Sequence, residues 1–333
     1  MKKTKLGVVL SGGGAKGAYE VGFLKALAEF NMQPEAISGT SIGALNGAIY
    51  SAKKDTRVSA KCLEDLWNDL ATSSVLEIDK ETAVKTIIDV LMHFAPMGNV
   101  TKLGKLLMLS AKGTKSTEGI LTQAPLINRL EEYASAKDLK KGLPFHIGLT
   151  KSKGHGIDFK NFLGFGNEET VYKKIQNLKE EEMHTAIMAS ASLPILFNSL
   201  EVEGDIYSDG CLSSTNNEWG NTPIKPLVED ERCTHIIICH LNEGSSFDRH
   251  DGLFKDIPII EVRPEVGTFN SALDPLQFKV EKISMWMEQG YKDSKRILEE
   301  AFKALKTVEK RKIVEIASDD AVDKLKNRNF KLG

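Results

Sequence analysis

The stretch "GTSIG", residues 39–43, sets a serine between two glycines in the order G-x-S-x-G. A serine hydroxyl becomes a nucleophile when a base takes its proton and donors hold the charge its attack creates. The pattern suits that chemistry, because small flanking residues let the serine stand on a sharp strand-to-helix turn. Ser41 is therefore the candidate nucleophile. Upstream, "SGGGAKG" at residues 11–17 supplies Gly12, Gly13 and Gly14 as successive backbone N–H groups before a helix. Such a nest at a positive helix end stabilises an anion, and the anion can be the oxyanion of acyl transfer. The candidate base is Asp209 in "YSDG", residues 207–210. A lone Asp-Gly pair is an ordinary turn signal, so its weight comes from its companions.

The same glycines admit another reading. Gly12, Gly14 and Gly17 spell G-x-G-x-x-G, the fingerprint of a dinucleotide site. That site needs an acidic residue roughly 20 positions on, at the end of the second strand. Here the second strand ends in "ISGTSIG", and Glu35 precedes it. A phosphate-binding Walker A loop fails as well, because Ala18 follows Gly17 where Lys and Ser/Thr are required. Nucleotide binding without hydrolysis stays open as the rival from a different functional class. A tight glycine turn that binds nothing is the plainest alternative.

The elements around these residues follow α/β grammar. "KLGVVLS" is an apolar run followed at once by glycine, as a central parallel strand reads. "AYEVGFLKALAEF" follows with Val21, Leu24, Leu27 and Ala28 at helical spacing. "PEAIS" is a second strand, and "GTSIGALNGAIYSA" turns into a second helix. This β-loop-α-β-turn-α order predicts a parallel sheet, with Ser41 and the glycine nest at the carboxyl ends of neighbouring strands. Helices are predicted over 61–70 and 81–95, the second with a stripe of Val84, Ile88, Leu91 and Ala95. Further strands are predicted at 144–150, 156–162, 199–204, 205–209 and 234–241, and a late one at "DIPIIEV". "EEEMHTAIMASAS" reads as a helix, and a long helix covers roughly 274–307. Trp67 and Trp286 lie in helical patterns and read as core.

The 333 residues can bury a large core. A net charge of -2 gives no electrostatic case for nucleic acid as a partner. Four scattered cysteines argue against a disulfide framework and for a reducing cytoplasm. No apolar run approaches the ~20 residues of a membrane-spanning helix. The start "MKKTKLGVVLSGGGA" imitates a signal peptide, but "LGVVL" is shorter than the roughly 7 to 15 apolar residues required. It reads as the first buried strand.

Taken in order, "GGGAKG", "GTSIG", "ASASLPILF" and "SDG" resemble the motifs of the patatin-like phospholipase family. "NTP" at 221–223 and "EQGYKDSKRIL" near the end extend the resemblance over most of residues 5–300. The resemblance implies an α/β fold with a mainly parallel central sheet sandwiched between helices. A catalytic domain is expected over 1–307, with 308–333, charged in sequence, as a C-terminal tail or peripheral helix. Carried over, Ser41 and Asp209 form a catalytic dyad. The amides of Gly12, Gly13 and Gly14 form the oxyanion hole, and Lys16 fills the family's basic position. The implied activity is a serine lipid acyl hydrolase cleaving carboxylic esters of phospholipids or lysophospholipids through an acyl-enzyme. No cofactor and no metal are expected. The expected partners are a phospholipid or other fatty-acyl ester and, peripherally, a membrane surface. Two departures bear on the pocket mouth: Cys211 replaces a small residue after Asp-Gly, and the loop "LSSTNNEWG" is long.

An acyl chain needs an apolar pocket. Residues 84–109, with Met92, Phe94, Met97, Leu106, Leu107 and Met108, are either its wall or lid, or plain helical core. An α/β-hydrolase with a Ser-Asp-His triad is the enzyme alternative, since His235, His240 and His250 follow Asp209. Against it, only about one strand precedes the elbow. Cys233, His235, Cys239 and His240 imitate metal ligands, but Cys233 and Cys239 in one extended strand stand ~20 Å apart.

Overall fold

The computed structural model describes residues 4–72, 124–154, 157–158, 168–193, 197–212, 219–271 and 274–329. The helix expected over 81–95, the wall or lid of 84–109 and most of the 212–220 loop lie outside these residues. The chain opens with β1 (Leu6–Leu10), a 3-10 turn at Gly14–Gly17 and α1 (Ala18–Glu29). Then come β2 (Ala36–Gly39), α2 (Ile42–Lys53) and α3 (Thr56–Thr72). After α4 (Ala124–Tyr133) and α5 (Ala136–Lys140) come β3 (Phe145–Lys151), β4 (Thr170–Lys174) and α6 (Glu180–Ser190). The hairpin β5 (Leu200–Val202) and β6 (Asp205–Asp209) follows, then α7 (Lys225–Glu229), β7 (His235–Cys239), β8 (Ile259–Val262) and α8 (Val280–Asn329).

One eight-stranded sheet runs β5-β6-β3-β2-β1-β7-β8, with β4 also paired to β3. The pairs β1–β2, β1–β7, β2–β3 and β7–β8 are parallel. The pairs β3–β4, β3–β6 and β5–β6 are antiparallel. The apolar run of β1 is buried because β1 lies inside the sheet, covered on both faces. Alternation divides its side chains. Val8 and Leu10 join the core formed with α1, α2, α3 and α8, whereas Val9 faces a smaller core with Leu227 of α7, Phe247 and Phe254. Trp67 and Trp286 are buried, as their patterns suggest.

The motif "EQGYKDSKRIL" finds its place in this packing. A Cβ on Gly22 of α1 would strike the Met287 carbonyl, and one on Gly290 of α8 would strike the Tyr19 carbonyl. The two helices thus cross backbone to backbone. Tyr19 donates to Asp293 Oδ2 at 2.9 Å across the same contact. The helix that carries the glycine loop is clamped by α8.

Several readings change in the structure. β4, "TVYKK", was not expected; its residues are all half-buried and carry little pattern. Ile157 and Asp158, expected in a strand at 156–162, close a helical turn on the Gly154 carbonyl. Asp158 accepts from Lys153 N at 3.1 Å and Ser208 Oγ at 2.7 Å, side-chain bonds that favour a turn over a strand. The last helix starts at Val280, after a 3-10 turn at Asp274–Leu276, and runs on past 308 to Asn329. The four cysteines are unpaired. Among the described residues, no helix is long and apolar enough to cross a membrane.

Candidate active site

β3 is longer than β2, and this difference builds the site. β2 pairs with β3 up to Gly39 opposite Ile147. Beyond that point, β6 takes over the same edge of β3, with Asp209 opposite Leu149. β4 occupies the other edge across His146 to Thr150, which leaves β2 and β6 on one side. A parallel strand and an antiparallel strand therefore meet end to end. The residues that leave their ends, Ser41 after β2 and Asp209 at the close of β6, are brought together across 168 positions of sequence.

Ser41 Oγ donates to Asp209 Oδ2 at 2.7 Å. Ser41 has φ 55 and ψ -124, outside the regions open to an ordinary side chain. Holding a non-glycine residue there costs about 1–3 kcal/mol, which the surrounding contacts must offset. The flanking glycines show how tight the bend is: a Cβ on Gly39 would meet the Gly43 carbonyl, and one on Gly43 the Leu10 carbonyl. Ser41 keeps some solvent exposure.

Asp209 is fully buried. Burial pushes its pKa up from an ordinary 3.8 to about 6, against hydrogen bonds from Cys211 N and Ser41 Oγ that favour the charged form. Oδ1 takes the Cys211 N–H at 2.9 Å. The Cys211 thiol beside it is itself driven well above its usual range by burial, then by the Asp209 charge, so it stays a neutral thiol. Asp209 is thus a buried carboxylate of raised basicity, and a group of this kind can serve as a proton acceptor.

The glycine loop lies against Ser41. A Cβ on Gly12 would come 3.1 Å from Ser41 Cβ. Gly12 N is already donated to Asn221 Oδ1 at 3.1 Å, so the "NTP" asparagine anchors the loop. Among the described residues, the N–H groups of Gly13 and Gly14 have no protein acceptor. Gly14 has φ 59, and a Cβ there would strike the Pro275 carbonyl. Lys16 Nζ donates to the Leu241 carbonyl at 2.6 Å and lies 4.9 Å from the Phe269 ring centroid. Burial lowers its pKa. It ties the glycine loop to the segment after β7.

Five of the seven histidines fall among the described residues, and none bonds to Ser41 or Asp209. His146 Nε2 pairs with Glu231 at 2.8 Å, and His240 Nε2 with Glu261 at 2.9 Å. His184 Nε2 meets the Ala134 carbonyl at 2.7 Å. His235 contacts its neighbour Thr234, and His250 is exposed. Among the described residues, no group of three or more His, Cys, Asp or Glu is placed to hold a metal. Two contacts at this site have no counterpart in the sequence reading. Ser190 accepts the Ser41 N–H at 3.0 Å, and Asn221 holds Gly12. Both lie in motifs that stand out as text, but the partner of each is remote in sequence.

An apolar cavity is lined by Ile42, one residue past Ser41. Ile42, Leu45 and Ile49 of α2 form one wall, and Leu66, Trp67 and Leu130 face them.

A family model described as "Patatin-like phospholipase" matches residues 8–220. A putative patatin-like phospholipase domain-containing protein of Caenorhabditis elegans is 37% identical over 76 residues, 23% of this chain and 7% of that protein. Lysophospholipase nte1 of Aspergillus terreus is 52% identical over 50 residues, 15% of this chain and 3% of its own length. Neuropathy target esterase sws of Drosophila melanogaster is 39% identical over 74 residues, 22% of this chain and 5% of its own. The chain thus spans less than a tenth of the length of these curated relatives. Among solved structures, VipD from Legionella pneumophila aligns over 89% of this chain and 67% of its own, at TM-score 0.42 and 15% identity.

Proposed function

The chain belongs to the patatin-like phospholipase family, and from that premise we propose that it is a serine lipid acyl hydrolase working through a Ser41–Asp209 dyad. The observation that carries this reading is the 2.7 Å hydrogen bond between a strained, partly exposed serine and a buried carboxylate of raised basicity. Ser41 Oγ attacks the ester carbonyl as Asp209 takes the hydroxyl proton. The carbonyl π electrons move to oxygen, and the N–H groups of Gly13 and Gly14 hold that charge. Collapse breaks the ester C–O bond, and the leaving alkoxide takes the proton from Asp209. The acyl group now sits on Ser41. A water, deprotonated by Asp209, attacks the acyl carbonyl; Ser41 leaves with the proton, and a fatty acid departs. Both half-reactions need only one base that alternates between carboxylate and acid.

The substrate class is phospholipid or lysophospholipid, engaged from the cytoplasm with peripheral contact to the lipid surface. The test is mass spectrometry of fatty acid released from a panel of phospholipids, lysophospholipids and simple fatty-acyl esters. Release above the background of the Ser41→Ala variant is expected. No release from any member, with the protein folded, would overturn the reading.

Two expected results follow from the geometry. The rate should depend on ionised Asp209. Its pKa lies at about 6, raised by burial, so kcat/KM is expected to fall with pH through about 6 and to level off above it. A pH–rate profile on a neutral ester checks this; a flat profile from pH 5 to 8 would contradict a carboxylate base of about this pKa. Adding bulk to the loop should damage catalysis more than folding. A Cβ on Gly13 would sit 2.8 Å from Leu241 Cδ1 and 2.9 Å from Leu241 Cβ. Gly13→Val must therefore shift the loop, and a loss of about 100-fold in kcat is expected, the low end for losing an oxyanion donor. A folded Gly13→Val protein with full kcat would remove the loop from the oxyanion role.

A further inference from the structure

The motif "ASASLPILF" ends α6, and the dyad mechanism leaves it without a task. Its position is the seam where β2 and β6 meet along β3. Gly148 stands at that seam. Its neighbours Ile147 and Leu149 pair with Gly39 and Asp209, but Gly148 itself pairs with neither β2 nor β6. The Gly148 carbonyl is instead taken by Ser190 Oγ at 2.7 Å. The same hydroxyl accepts the Ser41 N–H at 3.0 Å. Two residues on, the Ser192 carbonyl accepts the Asp209 N–H at 3.1 Å. The end of α6 therefore holds the main-chain amides of both dyad members. Ser192 Oγ is itself bonded to the Met188 carbonyl at 2.8 Å, and Met183, Ala186 and Ile187 seat the helix in the core.

We infer that the end of α6 is a clamp that sets the separation of Ser41 and Asp209, and that the Ser190 hydroxyl is its decisive positioning residue. The inference rests on the dyad reading given above. A residue at φ 55 stays there only while its neighbours fix it. The Ser41 amide precedes the first turn of α2, where helix donors have no partner within the helix. Ser190 is fully buried, so no water can replace its hydroxyl without rearrangement. One hydroxyl offers one proton and can accept in return, and both capacities bridge the seam here. Remove it, and the Ser41 amide and the Gly148 carbonyl lose their partners together. The elbow then relaxes away from Asp209, and a misplacement near 1 Å costs ~100-fold in rate.

The experiment compares Ser190→Ala, Ser190→Thr, Ser41→Ala and wild type, each checked by circular dichroism. Turnover of p-nitrophenyl butyrate gives kcat and KM, and the pH profile of kcat/KM is measured for each. For Ser190→Ala, kcat is expected to fall about 10- to 100-fold, since only positioning is lost, with KM within about twofold. The acid limb should also move upward from about 6, because Asp209 loses part of the Ser41 hydrogen bond that favours its charged form. The other titratable group that bears on Asp209 among the described residues is the Cys211 thiol, which stays neutral. Ser190→Thr keeps the hydroxyl and is expected to recover kcat to within about threefold of wild type. A role in stability alone would lower the melting temperature and leave kcat and the pH profile in place, and that result overturns the inference. So does a Thr variant no faster than Ala. If Ser190→Ala does not fold, Ser190→Cys serves, because a thiol is a weak acceptor: full kcat in the folded Cys variant overturns the clamp. The Ser41→Ala arm separates the two readings. Activity persisting there sinks the dyad itself. A dead Ser41→Ala beside a fully active Ser190→Ala sinks only the clamp.

Discussion

Replacing Ser41 by alanine is expected to abolish ester hydrolysis, with a loss of at least about 10⁴-fold in kcat, as for removal of a nucleophile that works as a unit with its base. The Cys211 thiol touches Asp209 but is held neutral, and a neutral thiol attacks poorly. The fold should survive. The strain at φ 55 is the same for alanine as for serine, and the amide contact to Ser190 does not involve the lost hydroxyl. Asp209 would lose a donor that favours its charged form, so its pKa should rise further. The checks are turnover of a p-nitrophenyl ester, labelling by a fluorophosphonate probe and circular dichroism. A folded variant that still reacts with the probe at the wild-type rate would mean that the nucleophile lies elsewhere.

The residues with narrow chemical demands were legible in the sequence. A serine between glycines at a strand-to-helix bend, and a glycine run before a helix, each admit few residue types. The central parallel strands were legible too, because β1 is apolar throughout and β7 carries an unbroken apolar run from Ile236 to Cys239. What brings Asp209 to Ser41 was not. It depends on β6 replacing β2 along one edge of β3, a long-range pairing that leaves no mark in local periodicity. β4 escaped notice because a half-buried pentapeptide matches no template well. Lys16 was legible as a motif residue, but its partner was not: the amine donates to the Leu241 carbonyl, far away in sequence. His146 and His240 fall in or beside strands as their sequence suggests, yet only the structure supplies their partners Glu231 and Glu261. Ser190 was visible as a motif residue and silent as to purpose, since its two partners lie in β3 and after β2.

Changing Asp209 to asparagine should separate catalysis from stability by sign. The side chain keeps its shape, and its amide oxygen can still accept from Ser41. It cannot take a proton, so kcat is expected to fall at least ~100-fold, the low end for loss of a general base. Stability should move differently. Asp209 is fully buried, and its pKa is raised by burial from 3.8 to about 6, so the folded state holds the proton more tightly than the unfolded one. Stability therefore falls as pH rises between those two values and is lower by a constant amount above them. Keeping the carboxylate charged in this buried place costs the fold about 3 kcal/mol at most. Asparagine carries no charge and escapes that penalty. Asp209→Asn is expected to be at least as stable as wild type at pH 8, with its advantage shrinking as pH falls through about 6. The wild-type acid limb should be missing from the residual rate of the variant. Urea denaturation at pH 5 and pH 8, beside turnover at both, reads all three effects. A rate near wild type in the folded variant would remove Asp209 from the mechanism. A variant crippled in rate and also less stable at pH 8 than at pH 5, as is expected of wild type, would place the burial penalty on some other group.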